Sequence, residues 1–265
     1  MNASARLTTL TRIGFAARGL LYFVIAFLVI GTGRTEDLSG ALRYLSEGGG
    51  RVLLILMTAG FVAYGIWRLS DAAFDVERHG SDGKGAAERV AAGASGLVHL
   101  FLAWQAVKLI QGVASSGVSG TQKGAATALA LPGGAWLLTL AGAVILAVGG
   151  FQLIKTVKGD FLQHLEPQVA SNSLVKWSGR AGYAARGIVF LISGAFLFQA
   201  GLDARAADAG GTAEALAWLS NPWDKIVALG LSGFGLFCLI EARYRTLHDV
   251  PVDGMVQQAK ARARA

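Results

Sequence analysis

The sequence predicts an all-α membrane protein of six transmembrane helices, built of three parallel two-helix repeats with pseudo-threefold symmetry about the membrane normal. Three observations predict this class. Composition comes first: 53% hydrophobic residues, 15% charged residues and a mean hydropathy of +0.49 lie outside soluble-domain usage. Second, six apolar runs are long enough to cross a hydrocarbon core of about 30 Å, and they are continuous, unlike the ten-residue alternating segments of a β-barrel. Third, the phrase Arg12-Ile-Gly14-Phe15-Ala-Ala-Arg18-Gly19 recurs as Arg180-Ala-Gly182-Tyr183-Ala-Ala-Arg186-Gly187, and each copy opens an apolar run. With 36 glycines and 4 prolines, the composition suits closely packed membrane helices.

The first crossing spans residues 13–31. Arg6 and Arg12 ahead of it resemble a signal peptide, but the phrase recurs at residue 180, so the segment reads as an uncleaved helix. The remaining crossings span 52–69, 90–110, 136–154, 181–202 and 223–240. In the loop after the first, Leu38, Leu42 and Leu45 stand at i, i+4 and i+7; in the loop after the fifth, Ala213, Leu216 and Leu219 do much the same. Both predict short interfacial helices anchored by Tyr44 and Trp218. The loop between the third and fourth, with Gly120, Gly124 and Pro132, is less patterned.

Six crossings put both termini on one side. Of 24 Lys and Arg residues, Arg34, Arg43, Arg51, Lys123, Arg205 and Lys225 fall on the other side, with Lys108 near it; the remaining 17 flank the termini side. This bias predicts cytoplasmic termini. It also accounts for the net charge of +7 without nucleic acid, for which no basic, aromatic-studded soluble face exists.

A degenerate middle copy of the phrase, Arg89-Val-Ala-Ala-Gly93-Ala-Ser95-Gly96, puts Ser95 in the place of Arg18 and Arg186. Among the even crossings, Gly65-Ile-Trp67, Gly149-Gly-Phe151 and Gly235-Leu-Phe237 align. The repeats therefore run over residues 1–80, 81–170 and 171–265, the last including a cytoplasmic tail. Arg-x-Gly-aromatic-x-Ala-Arg-Gly opening a hairpin, Gly40-Ala41-Leu42 in the outer loop, Tyr64-Gly65-Ile66-Trp67-Arg68 closing it, and Glu241-Ala242-Arg243-Tyr244-Arg245 at the end together resemble the bacterial membrane family called domain of unknown function 1206. That resemblance implies the tandem architecture and a plasma-membrane location. It carries over no catalytic or binding residue.

Arg18 stands six residues inside its helix, about 9 Å at about 1.5 Å per residue. One reading has it snorkelling to headgroups. The other pairs it with an acid: Asp71, Lys155 and Glu241 align, so the two repeats with an arginine also have an acid and the middle repeat has neither. That pattern predicts Arg18–Asp71 and Arg186–Glu241 clamps within hairpins. His99 is a titratable side chain near mid-membrane and a candidate polar site, with a hydrogen bond to a neighbouring helix as the plainer expectation. Asp71, Asp75 and His79 at i, i+4 and i+8 invite a metal reading, against which a solvated helix end is favoured. Small-residue pairs such as Ala91/Ser95, Ala92/Gly96 and Ala181/Ala185, with Gly14 and Gly182 beside them, predict close helix approach. Cys238 is expected to be a packing residue.

No nucleotide, zinc or nucleophile signature occurs, so the expectation is no cofactor, no metal and no enzymatic activity. The functional expectation is a scaffold or envelope-associated protein acting through lipid and protein contacts. The alternative is a small channel or transporter with a path near the pseudo-threefold axis.

Overall fold

The computed structural model describes residues 3–77, 79–80, 82–113 and 120–246, with side chains from residue 8 onward. Arg78, Lys260, Arg262 and Arg264 of the basic tally lie outside the described residues. The described residues form ten α-helices: α1 Ala3–Phe27, α2 Leu38–Glu47, α3 Arg51–Phe74, α4 Gly83–Ile110, α5 Gly120–Leu129, α6 Gly134–Lys158, α7 Pro167–Ser171, α8 Ser173–Leu202, α9 Thr212–Leu219 and α10 Trp223–Tyr244. Six of them, α1 (continued by a π-turn to Thr32), α3, α4, α6, α8 and α10, are long and apolar enough to cross a membrane. The protein is a multi-pass, all-helical membrane protein. The patterned outer loops form α2 and α9, whose Leu42 and Leu216 are fully buried against the bundle. The loop with less pattern forms a helix as well, α5. We call the end where α1 begins and α10 stops the basic end.

Side by side, the spanning helices run α4, α3, α1, α10, α8, α6. Contacts between repeats recur at aligned positions, and glycine makes each of them possible. A β-carbon on Gly19 would come 2.8 Å from the carbonyl oxygen of Gly235, and one on Gly235 2.9 Å from that of Gly19. The corresponding distances are 3.0 and 3.1 Å for Gly96 and Gly65, and 3.1 Å both ways for Gly187 and Gly149. The neighbours are equivalent too: Leu239, Leu69 and Leu153 lie over the odd-helix glycines. These are small-residue crossings that let backbones meet, as expected where lipid gives no hydrophobic drive to association.

Within repeats the contacts differ. In the first, Gly14 meets Tyr64 and Gly60 meets Ala17; in the third, Gly182 meets Phe234 and Gly230 meets Ala185. The middle repeat has Ala91 for Gly14, Val144 for Gly60 and Val148 for Tyr64. Its helices α4 and α6 share no extended contact. Ala91 and Ala94 are exposed, and Val144 and Val148 are 54% and 38% exposed. The two bulkier residues, Ala91 and Val144, stand where the other hairpins need glycine, so this hairpin is split and its helices form the two ends of the row. Ala91 of the expected Ala91/Ser95 pair thus faces outward, whereas Ala92, Gly96 and Ala185 are buried.

Candidate functional site

The polar interior is assembled from repeat-equivalent positions. Arg18, Ser95 and Arg186 correspond; one turn along each helix, so do Tyr22, His99 and Phe190; on the even helices, so do Tyr64, Val148 and Phe234. Arg18 donates from Nη1 to the Tyr64 hydroxyl at 2.7 Å, and its guanidinium lies 5.4 Å from the Tyr64 ring centroid and 4.9 Å from that of Phe234. Arg186 lies 4.3 Å from the same Phe234 centroid, 5.1 Å from Phe190 and 5.7 Å from Tyr22. Two cations therefore share one ring. Aromatic faces attract a desolvated guanidinium by about 2 kcal/mol, which offsets only part of the cost of burying it. Arg186 is 9% exposed, and its Nε is sealed without a hydrogen-bond partner.

His99, 7% exposed, points Nδ1 at the Ser95 carbonyl at 2.7 Å. A carbonyl only accepts, so Nδ1 carries the proton. The ring lies 4.3 Å from that of Tyr64. His99 thus bonds its own helix, where a bond to a neighbouring helix was the expectation, and touches the neighbour through its ring.

Neither predicted clamp forms. Asp71, fully buried, is held by Arg68 Nη1 at 3.1 Å, His79 Nε2 at 3.1 Å and the Glu77 amide at 2.8 Å. Glu241 pairs with Arg245. The reason is register. Gly14 packs on Tyr64 and Ala17 on Gly60, and likewise Gly182 on Phe234 and Ala185 on Gly230, so only the side chains of Arg18 and Arg186 reach back to these rings, while each acid stands seven residues beyond its ring toward the basic end, about 10 Å along the helix. Arg18 does not snorkel either, since its tip is held between rings. The middle repeat, which has neither arginine nor acid at these positions, also lacks the extended internal interface of the other two.

What holds the basic end is a network around Arg245, which sequence reasoning did not single out. Arg245 Nη2 reaches Glu77 at 2.6 Å, Nη1 reaches Glu241, and the guanidinium lies over Phe15 at 5.0 Å and Trp67 at 5.4 Å. It ties α10 to the α3 end and to α1. Burial opposes ionisation of Glu77, but Arg245 outweighs it and holds this carboxyl down at about 2. Burial, then the charge of Arg245, pushes the His164 imidazole down to about 4. The Glu241/Arg245 spacing of i, i+4 was a readable signal. Glu77, in a charge-rich loop, gave none.

Asp71, Asp75 and His79 do come together, with ligand atoms within 4.8 Å of one another. A turn brings this about, because α3 stops at Phe74 and Asp75 adopts φ 51°. Asp75 accepts from the His79 and Gly80 amides at 2.7 and 3.1 Å, and His79 Nδ1 meets Glu88 at 2.6 Å. The triad's groups are engaged in closing the α3–α4 loop.

The sequence profile of the Domain of Unknown Function (DUF1206) family matches residues 13–75, 90–159 and 181–245, one segment for each repeat. The chain belongs to the DUF1206 family. A similar protein, titled "Uncharacterized protein YxxB" from Bacillus subtilis (strain 168), is 33% identical over 247 residues, covering 88% of this chain and 90% of that one. No solved structure matches. The three matched segments of this DUF1206 protein start in α1, α4 and α8 and end at the basic end, so the family unit is the split or closed hairpin described above.

Proposed function

We propose that this DUF1206 protein is a non-enzymatic protein of the bacterial plasma membrane, a scaffold or envelope-associated component that works through contacts with lipids and other membrane proteins. The basic end faces the cytoplasm, in keeping with the lysine and arginine bias. The observation that carries the reading is the split middle repeat. Two spanning helices turn broad apolar faces outward, with Leu97, Phe101 and Trp104 exposed on α4 and Leu140, Val144 and Phe151 exposed on α6. The acids of the basic end, Asp71, Glu77 and Glu241, are bound to neighbouring bases that hold the helix ends together. The test is solute and ion flux in proteoliposomes, where the protein should leak no more than empty vesicles. Flux abolished by His99→Ala would replace this reading with a channel or transporter.

A further inference from the structure

We propose that the basic-end half of the opening between α4 and α6 binds an anionic phospholipid, with the lipid phosphate against Lys155 and Arg186. The inference rests on the reading above that the protein works through lipid contacts, and it names the lipid class and the site.

The two cations stand at one depth, and the charge of Arg186 acts on Lys155. Gly187 packs on Leu153 and Gly149 on Leu191, so in this antiparallel pair Lys155 is level with residue 185, beside Arg186. Neither cation has an ion-pair partner among the described residues. Lys155 touches the Phe151 ring at 5.1 Å, and Glu88, the acid whose charge acts on it most, is taken by His79 at 2.6 Å. Arg186 is more than nine-tenths buried, and its Nε has no hydrogen-bond partner at all. Two cations without an acid at one depth, one of them sealed among aromatic rings, call for an anion.

The surroundings say which anion. Lys155 stands three residues from the end of α6, about 5 Å along the helix. That is headgroup depth for a 25-residue helix, which exceeds the hydrocarbon core. At the position equivalent to Arg18 and Arg186, α4 has the small Ser95, and α4 and α6 share no extended contact. From there toward the opposite end run Leu97, Val98 and Phe101 on α4 and Val148, Val144 and Leu140 on α6, all exposed. A free phosphate would leave these walls bare; acyl chains would cover them. Basic pockets between membrane helices are the ordinary answer to anionic headgroups.

The experiment places the full chain in nanodiscs of mixed phosphatidylglycerol and phosphatidylcholine, strips loosely held lipid with mild detergent, and counts retained lipids by native mass spectrometry. Wild type should retain phosphatidylglycerol enriched roughly tenfold or more over the bulk ratio, at roughly fivefold per neighbouring cation. Lys155→Gln, at a helix end where folding is safe, should lower the enrichment roughly fivefold, and Arg186→Gln should lower it as well. Val144→Gly with Ala91→Gly, which restores the glycines of the closed hairpins, should displace the lipid without touching a charge. Equal enrichment in wild type and Lys155→Gln overturns the proposal. So does inorganic phosphate competing the lipid away at low millimolar concentration, which would make free phosphate the ligand. Flux in the proteoliposome assay would sink the functional reading while leaving this enrichment unchanged, so the two failures are distinguishable.

Discussion

Removing Arg245 should do more damage than removing any other charge at the basic end. Arg245→Met keeps the stem that packs on Phe15 and Trp67 but leaves Glu77 and Glu241, whose side chains are 9% and 5% exposed, without their cation. The depression of Glu77 from 4.5 to about 2, chiefly the excess of Arg245's attraction over the cost of burial, sets the scale of this ion pair. At about 1.4 kcal/mol per pKa unit it corresponds to about 3 kcal/mol near neutral pH. With a second buried carboxylate abandoned, the loss should reach about 3–5 kcal/mol. The assay is thermal and denaturant unfolding in mild detergent, comparing Arg245→Met with Glu77→Gln and with the double substitution. The double variant should recover part of the loss, because it removes one stranded charge. The pH profile follows by sign. Glu77 has a depressed folded pKa, so its contribution is complete above about 4.5 and disappears as pH falls toward about 2. His164 is also depressed, so the unfolded chain binds its proton first, and stability falls between about 6.5 and about 4. A loss below about 1 kcal/mol in Arg245→Met, with additive double-variant energetics, would refute the network.

Two glycines of α6 and α8 should respond with opposite signs. A β-carbon at Gly182 would lie 2.5 Å from the Phe234 Cα, so Gly182→Ala should cost about 1–3 kcal/mol, whereas Gly150, with nothing within 4 Å, should accept alanine neutrally or with a small gain, both read as melting shifts. Tyr64→Phe removes the hydroxyl that accepts from Arg18 at 2.7 Å and should destabilise by about 1.5–3 kcal/mol, with the Arg18→Gln/Tyr64→Phe cycle showing coupling.

Much of the fold was legible because lipid restricts the choices. Each crossing had to be an uninterrupted apolar helix, and the recurring glycine phrase marked where each hairpin begins. Helix pairing was not legible from the aligned glycines alone: Gly19, Gly96 and Gly187 turned out to meet Gly235, Gly65 and Gly149 across repeat boundaries, a matter of which face each helix turns. The clamps failed for a related reason. Alignment put Arg18 with Asp71 as equivalent partners, but alignment carries no depth, and seven residues of antiparallel helix separate Asp71 from the level of Tyr64. The aromatic seats of the two arginines were written in the sequence, as Tyr64 and Phe234 next to the aligned glycines, but an aromatic beside a glycine on a membrane helix is ordinary and gave no cause to choose it.

The central claim is that the middle repeat is open where the first and third are closed. A nitroxide at residue 144, placed through Val144→Cys in a Cys238→Ala background, reports on it directly through oxygen accessibility in reconstituted bilayers. The open arrangement predicts a mobile label with high oxygen and low polar-relaxant accessibility, since Val144 is 54% exposed. An immobile, inaccessible label, as its buried counterpart Gly60 would give, would contradict the account.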